Sequence, residues 1–334
     1  MFKERYLIIY SWIMLGDFIL FLDLCKKYKR ATGYDSYIIL KKTNKTFVDM
    51  AAGYPFVKVI SLNSIFGLTS LIKLLTYSVL VRCIYFIKID SFAPNAKVKI
   101  TLAIIKYFTM SVIYTRFLSA EGLVPNLNFL EINNNFINYI TKKNLVFESS
   151  LSYIKELDDK FLNEYNIKEN EYICLVLGSS NTRRMIPPKD WVNIISFLNE
   201  NNPNKKLVIL GSGLSIELES LKEISDILKF EHINLMGKIS IQKVINILDY
   251  SYCVISPNTG LTLISYMLKN TKTIIFSENL GGYLFYNLQS ENCRFTENPI
   301  LCLCNKTLHT NKYCCFLGIN IFEEFKKSFK ELGL

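Results

Sequence analysis

The sequence predicts an α/β protein of two doubly wound domains facing across a cleft. Short, continuous apolar runs recur along it, each the length of a strand buried on both faces, as parallel sheets require. Longer stretches with apolar residues at helical spacing lie between them, the alternation expected of βαβ units. The 334 residues also exceed what one core ordinarily serves.

The C-terminal half reads most clearly. Tyr172 to Leu177 is a β-branched and aliphatic strand, followed by a Gly/Ser/Asn-rich loop and a helix from Lys189 to Leu198. The unit repeats with strand Lys206 to Leu210, loop Gly211-Ser212-Gly213 and helix Ile216 to Leu228. Strand Ile233 to Leu235, helix Ser240 to Leu248, strand Cys253 to Ile255, helix Leu261 to Leu268 and strand Thr271 to Phe276 follow. In the N-terminal third the same reading gives strand Tyr6 to Tyr10, helix Asp17 to Tyr28, strand Tyr37 to Leu40 and helix Thr46 to Ala52. Further strands are expected at Val57 to Ile60, Ile84 to Ile87 and Val112 to Tyr114. Asn-rich sequence from Glu131 to Asn144 and the charged stretch Lys155 to Glu171 separate the halves, which places domains at 1–165 and 166–334. Ligands of such sheets bind at the carboxyl ends of the strands, so the loops there are where chemistry is expected.

Apolar residues make up 50% and charged residues 20%, with mean hydropathy +0.20, which excludes a disordered, collagen-like or disulfide-stapled chain. The 39 basic and 29 acidic side chains are unevenly placed. Residues 1–120 hold 17 basic and 6 acidic groups, a net of +11, and the remainder holds 22 and 23. Such a field favours nucleic acid, phosphorylated small molecules or an anionic membrane surface. Asp17 interrupts the apolar start and no small-residue cleavage site follows, so no export signal is expected. The apolar stretch Leu68 to Ile87 contains Lys73 and Arg82. Each central charge costs about 2.5–3.5 kcal/mol on insertion, so surface attachment is expected rather than a span. Nine scattered cysteines, an odd number, point to reduced thiols in the cytoplasm.

Four groups of residues can carry chemistry. Gly16-Asp17 opens the first helix, where a carboxylate is held ionised and can act as a base; Asp is equally a common N-cap. Gly178-Ser179-Ser180-Asn181-Thr182-Arg183-Arg184 combines small hydroxyl residues with paired guanidiniums ahead of a helix entered through Pro187 and Pro188, which suits a diphosphate or forms a solvated turn. Gly211-Ser212-Gly213 resembles a phosphate loop without the Lys-Ser/Thr of a Walker motif. In the helix after it, Glu217 or Glu219 can accept from a ribose or lie on a solvated face. Ser256-Pro257-Asn258-Thr259-Gly260-Leu261-Thr262 ends a strand and opens a helix, a geometry that binds phosphate without metal or simply caps the helix. The cysteines at 302, 304, 314 and 315, with His309 among them, can hold a metal or be free thiols; the spacing fits no zinc finger. His232 is the only other histidine.

In their order these motifs resemble the heptosyltransferase family of bacterial glycosyltransferases, glycosyltransferase family 9. The run NLMGKISIQKVINILDYSYCVISPNTGLTLISYMLKNTKTIIF, from Asn234 to Phe276, is similar to the family's segment from L-x-G to D-[ST]-G-x-x-H-x-A and the next strand. The chain departs from it at Asn258, where the family has Asp, and at Leu263, where it has His. The resemblance implies a GT-B fold, two doubly wound Rossmann-like domains, the first binding acceptor and the second nucleotide sugar. It implies that Asp17 is the general base and that Arg184, in place of the lysine of K-x-W-P, stabilises the departing diphosphate. Ser179, Ser180, Arg183, Met236, Gly237, Asn258, Thr259 and Gly260 would surround the donor, with Glu217 near the ribose.

The implied activity is an inverting, metal-independent transfer of heptose or a related sugar from a nucleotide sugar, ADP-heptose or similar, to a cell-surface glycolipid such as the lipopolysaccharide core. No cofactor is required, no nucleic acid takes part, and the enzyme is expected in the cytoplasm, peripheral to a bacterial inner membrane. The cysteine cluster raises a second option, an iron-containing autotransporter protein heptosyltransferase. Asn258 and Leu263 raise a third, a GT-B binding subunit that no longer catalyses.

Overall fold

Every strand pairing among the described residues of the structure, a computed structural model, is parallel, as expected of continuous apolar strands. It describes residues 6–11, 15–41, 45–62, 83–88, 113–115, 134–135, 137–138, 141, 143–146, 159–179, 182–268, 270–277, 291–297, 313, 316 and 318–334. The chain divides into two units, residues 1–149 and 150–334.

The first unit contains β1 (Tyr6–Ser11), α1 (Leu15–Thr32), β2 (Ser36–Lys41), α2 (Lys45–Ala52), β3 (Val57–Leu62), β4 (Cys83–Lys88) and β5 (Ile113–Thr115). Its sheet runs β3-β2-β1-β4-β5, so strand order reverses between β1 and β4. Helix α1 extends past the expected Tyr28 because Lys29 to Thr32 are good enough helix formers and Gly33, at φ 79°, supplies the left-handed residue that stops it; its N–H bonds the Lys29 carbonyl at 2.8 Å. From Phe18 to Tyr28 this helix is buried on all sides, Asp23 and Lys27 included. Those two pair at 2.8 Å, one helical turn apart. Burial pushes the Lys27 ammonium pKa down, and the Asp23 carboxylate opposes that.

The second unit opens with α3 (Asp159–Glu164), so the boundary expected at 165/166 falls within it. There follow β6 (Tyr172–Val176), α4 (Pro188–Asn201), β7 (Lys206–Leu210), α5 (Ser215–Ile227), β8 (Ile233–Asn234), α6 (Ile241–Asp249), β9 (Cys253–Pro257), α7 (Gly260–Leu268), β10 (Lys272–Ser277), β11 (Cys293–Glu297) and α8 (Ile321–Glu331). The sheet order is β11-β10-β9-β6-β7-β8. β6 and β9 are buried along their full length, as interior strands covered on both faces must be.

Two of these elements lie outside the sequence reading. β11 extends the sheet at one edge, and α8 packs on α4. The apolar residues Ile321, Phe325 and Phe329 of α8 recur every fourth position and are buried. Phe197 of α4 meets Phe322, Phe325 and Phe329 edge-on, with centroids 6.1, 5.6 and 5.5 Å away. Such contacts each add about 0.5–1.5 kcal/mol beyond the area they bury. Behind them one apolar core joins Trp191, Ile194 and Leu198 to the inner face of the sheet at Ile173, Leu175, Ile209, Ile255 and Phe276. That core holds the sheet rigid, and the loops at its carboxyl edge inherit the rigidity.

Candidate functional site

In the second unit the strand order reverses between β6 and β9, which pair through Leu175 and Ile255. The loop after β6 and the loop after β9 leave the sheet within a few residues of that pair, at the crevice where doubly wound sheets bind ligands. Both predicted diphosphate segments therefore flank one point. Thr182–Arg184 forms a single 3-10 turn with Arg183 and Arg184 half-buried, and Ser179 before it is buried. Ser180 lies outside the described residues.

The loop after β9 is knitted by hydroxyl groups. The Thr262 N–H donates to Thr259 Oγ1 at 3.4 Å, and the Thr259 N–H to Thr262 Oγ1 at 3.2 Å. Thr262 Oγ1 also donates to the Pro257 carbonyl at 2.6 Å, with Ser256 Oγ 2.5 Å from it. Thr259 is thus the N-cap of α7, and its own N–H is already used. The N–H groups left at this helix end, with no acceptor among the described residues, belong to Gly260 and Leu261. Asn258 is buried; its N–H bonds the Phe276 carbonyl at 2.9 Å and its amide Nδ2 donates to Ser277 Oγ at 3.4 Å. Leu263 points into the core, 1% exposed.

Glu217 occupies the next loop along the same edge. Of the two carboxylates considered after Gly211-Ser212-Gly213, Glu219 is exposed and Glu217 is buried, so Glu217 does not belong to a solvated face. Its Oε2 accepts from Ser212 Oγ at 2.9 Å, Gly213 N at 2.7 Å and Leu214 N at 3.2 Å, one arm of a capping box that closes the first turn of α5. A Cβ on Gly178 would lie 2.2 Å from Glu217 Cγ and Oε1, so this carboxylate fits only because residue 178 has no side chain. Gly213 and Gly237, at φ 77° and 67°, let the β7–α5 loop touch the loop after β8; the Gly237 N–H bonds the Gly211 carbonyl at 3.1 Å. Met236, just before it, is buried. Loops from β9, β6, β7 and β8 so form one continuous rim, and the described donor-site candidates of the second unit all stand on it.

Asp17 is placed in the first turn of α1, directly after β1 at the order reversal of the first sheet. Its side chain lies outside the described residues, as do Cys302, Cys304, His309, Cys314 and Cys315. Among the described residues no group of three or more His, Cys, Asp or Glu is placed to hold a metal ion. The thiols of Cys25, Cys174, Cys253 and Cys293 are buried. Burial pushes Cys25 and Cys253 up to about 12 and the other two upward as well, which keeps them protonated and unreactive. His232 stacks on Phe230 at 4.6 Å, a local packing role. Within the predicted Ser256–Thr262 segment the N–H groups assigned to Thr259 and Gly260 thus shift to Gly260 and Leu261, whose side chains leave no signal of it.

Residues 131–277, which include β6 through β10 and the whole rim, match glycosyltransferase family 9 (heptosyltransferase). Over that segment, somewhat under half of its length, the chain is similar to glycosyltransferase family 9, and the match supports the enzyme class glycosyltransferase. The α/β fold is that of solved GT-B structures. A family 9 glycosyltransferase from Veillonella parvula is 14% identical with a TM-score of 0.67, covering 99% of this chain and 97% of its own. The E. coli ADP-heptose lipopolysaccharide heptosyltransferase II is 14% identical at TM-score 0.66, covering 99% of this chain and 100% of its own. E. coli heptosyltransferase WaaC with ADP is 15% identical at TM-score 0.61, covering 98% and 100%. Comparison with curated proteins gives no match.

Proposed function

We propose that the protein transfers a sugar, heptose or a close relative, from a nucleoside-diphosphate donor to a hydroxyl of a cell-surface glycolipid such as the lipopolysaccharide core, with inversion. The observation that carries this reading is the rim of the second unit. The turn that carries Arg183 and Arg184 and the N-terminus of α7 both follow strands that flank the point where strand order reverses, within the segment that matches family 9, which supports a diphosphate there. The E. coli relatives of the same fold, one an ADP-heptose enzyme and one with ADP, support ADP-heptose or a similar donor.

The acceptor oxygen attacks the anomeric carbon while the bond from that carbon to the diphosphate oxygen breaks. Asp17 takes the acceptor proton. Arg184, with Arg183, and the N–H groups at the start of α7 meet the charge that develops on the diphosphate, so positioning and electrostatics supply most of the rate. Ser179, Ser180, Met236, Gly237 and Asn258 line the donor, and Glu217 stands by the ribose with Oε2 already held by its own loop. In this reading guanidiniums and helix N–H groups neutralise the diphosphate and no divalent ion is called for. The basic N-terminal third meets the anionic glycolipid at the cytoplasmic face of the inner membrane.

Calorimetric titration with ADP in excess EDTA tests the donor half. Binding should persist in the chelator, and Arg184→Ala should weaken it by about 1.5–3 kcal/mol, the worth of a hydrogen bond to a charged group. Loss of binding in EDTA, or an unchanged affinity in the variant, contradicts the reading. For the acceptor half, Asp17→Asn should lower turnover by about two to four orders of magnitude with donor affinity retained, as removal of a general base does. Steady-state rates on donor and acceptor decide it, and turnover near that of the parent enzyme removes Asp17 from the mechanism.

A further inference from the structure

Tyr313 stands far along the chain from the rim yet touches it. Its backbone N–H donates to the Thr182 carbonyl at 3.2 Å, and the same oxygen accepts the Met185 N–H at 3.3 Å. Residue 313 adopts φ 64°, the left-handed region that a non-glycine side chain enters only when its surroundings compel it.

Those surroundings can be traced. The Phe316 N–H bonds the Tyr313 carbonyl at 3.1 Å, and Phe316 is buried in the core with Ile186, Trp191 and Ile321. Gly318, at φ 82°, then turns the chain into Asn320, whose side chain caps α8 through the Glu323 N–H at 3.2 Å. The segment is therefore anchored from behind by α8 and Phe316. Burial pushes the Tyr313 phenol pKa up, and the carboxylates Glu223 and Glu219 of α5 add to it. The turn that carries Arg183 and Arg184 is three residues long, Thr182–Arg184.

We propose that Tyr313 is a positioning residue of the donor site: its backbone N–H, held in the left-handed conformation, fixes the Thr182–Arg184 turn so that the guanidiniums stand ready for the diphosphate. The inference rests on the donor reading given above and adds to it a residue from the C-terminal segment. It acts through main chain and conformation rather than through the phenol. Substitutions that differ in their tolerance of positive φ separate the two.

The test uses the full chain and three variants, Tyr313→Val, Tyr313→Asn and Tyr313→Gly, each checked for a cooperative unfolding transition. Val, β-branched, resists the left-handed region, whereas Asn and Gly enter it readily. Hydrogen exchange of peptides spanning 182–187 should quicken in Tyr313→Val and return toward the parent rate in Tyr313→Gly and Tyr313→Asn. ADP affinity should follow the same order, weakened about fivefold to thirtyfold by Val, the ratio for the loss of one modest interaction. The KM for donor should rise more than kcat falls, since the turn acts in binding. Equal loss in the Val and Gly variants overturns the backbone role, and unchanged exchange in Tyr313→Val overturns the proposal outright. Faster exchange with unchanged ADP affinity also overturns it, because the turn would then be held but not used. If the parent protein binds no ADP, the donor reading falls, and the exchange measurement still decides whether Tyr313 holds the turn.

Discussion

At position 178 no side chain fits. The Glu217 carboxylate already occupies the space, 2.2 Å from where a Cβ would stand, and it is pinned there by three donors of its own loop. Gly178→Ala should therefore displace Glu217 and loosen the start of α5, costing about 1–3 kcal/mol of stability as overpacking does. Urea denaturation of Gly178→Ala, Glu217→Ala and the double variant checks this. The double variant should lose less than the sum of the singles, with a coupling of about 0.5–3 kcal/mol, and strict additivity would show that the two residues do not meet. From sequence Gly178 was legible only as the first residue of a loop suited to a diphosphate or of a solvated turn. The partner was not, because residues 178 and 217 come together only when β6 and β7 pair, and the register that does this is set along the whole strand.

Among the elements, α8 shows how far a readable pattern can go unused. Its apolar residues recur at helical spacing, but the residues it packs on lie in α4, far back in the chain. Phe325, fully buried against Phe197, is its anchor. Phe325→Ala should cost about 3–5 kcal/mol, the usual range for emptying a buried aromatic site, measured as a fall in the urea midpoint at constant slope. A loss under 1 kcal/mol would mean that α8 contributes little to the core. From β6 to β10 the elements follow their apolar runs closely, with ends moved by up to three residues where caps decide: Pro188 opens α4, and the Ser240 side chain caps α6 through the Lys243 N–H at 3.4 Å.

For the whole molecule the uneven charge is the leading physical feature. A net of +11 over residues 1–120, alongside apolar sequence, is the pattern of a surface that meets anionic lipid. Among the described residues no helix is long and apolar enough to cross a membrane. Sedimentation with liposomes should show binding to vesicles containing anionic lipid over neutral ones at low salt. The preference should shrink as salt rises, since the Debye length is about 8 Å at physiological ionic strength. Equal binding to both kinds of vesicle at low salt would remove the membrane from the proposed function.

The sequence by itself determined the alternation of strands and helices, the parallel pairing, and the presence of small, hydroxyl and basic residues at strand ends, because each of these is written in local periodicity and composition. Only the tertiary structure decided which strand ends become neighbours. Strand order brought the loops after β6 and β9 to one point, set Gly178 against Glu217, and laid Tyr313 on Thr182. These are contacts between residues distant along the chain, and nothing local in either partner records them.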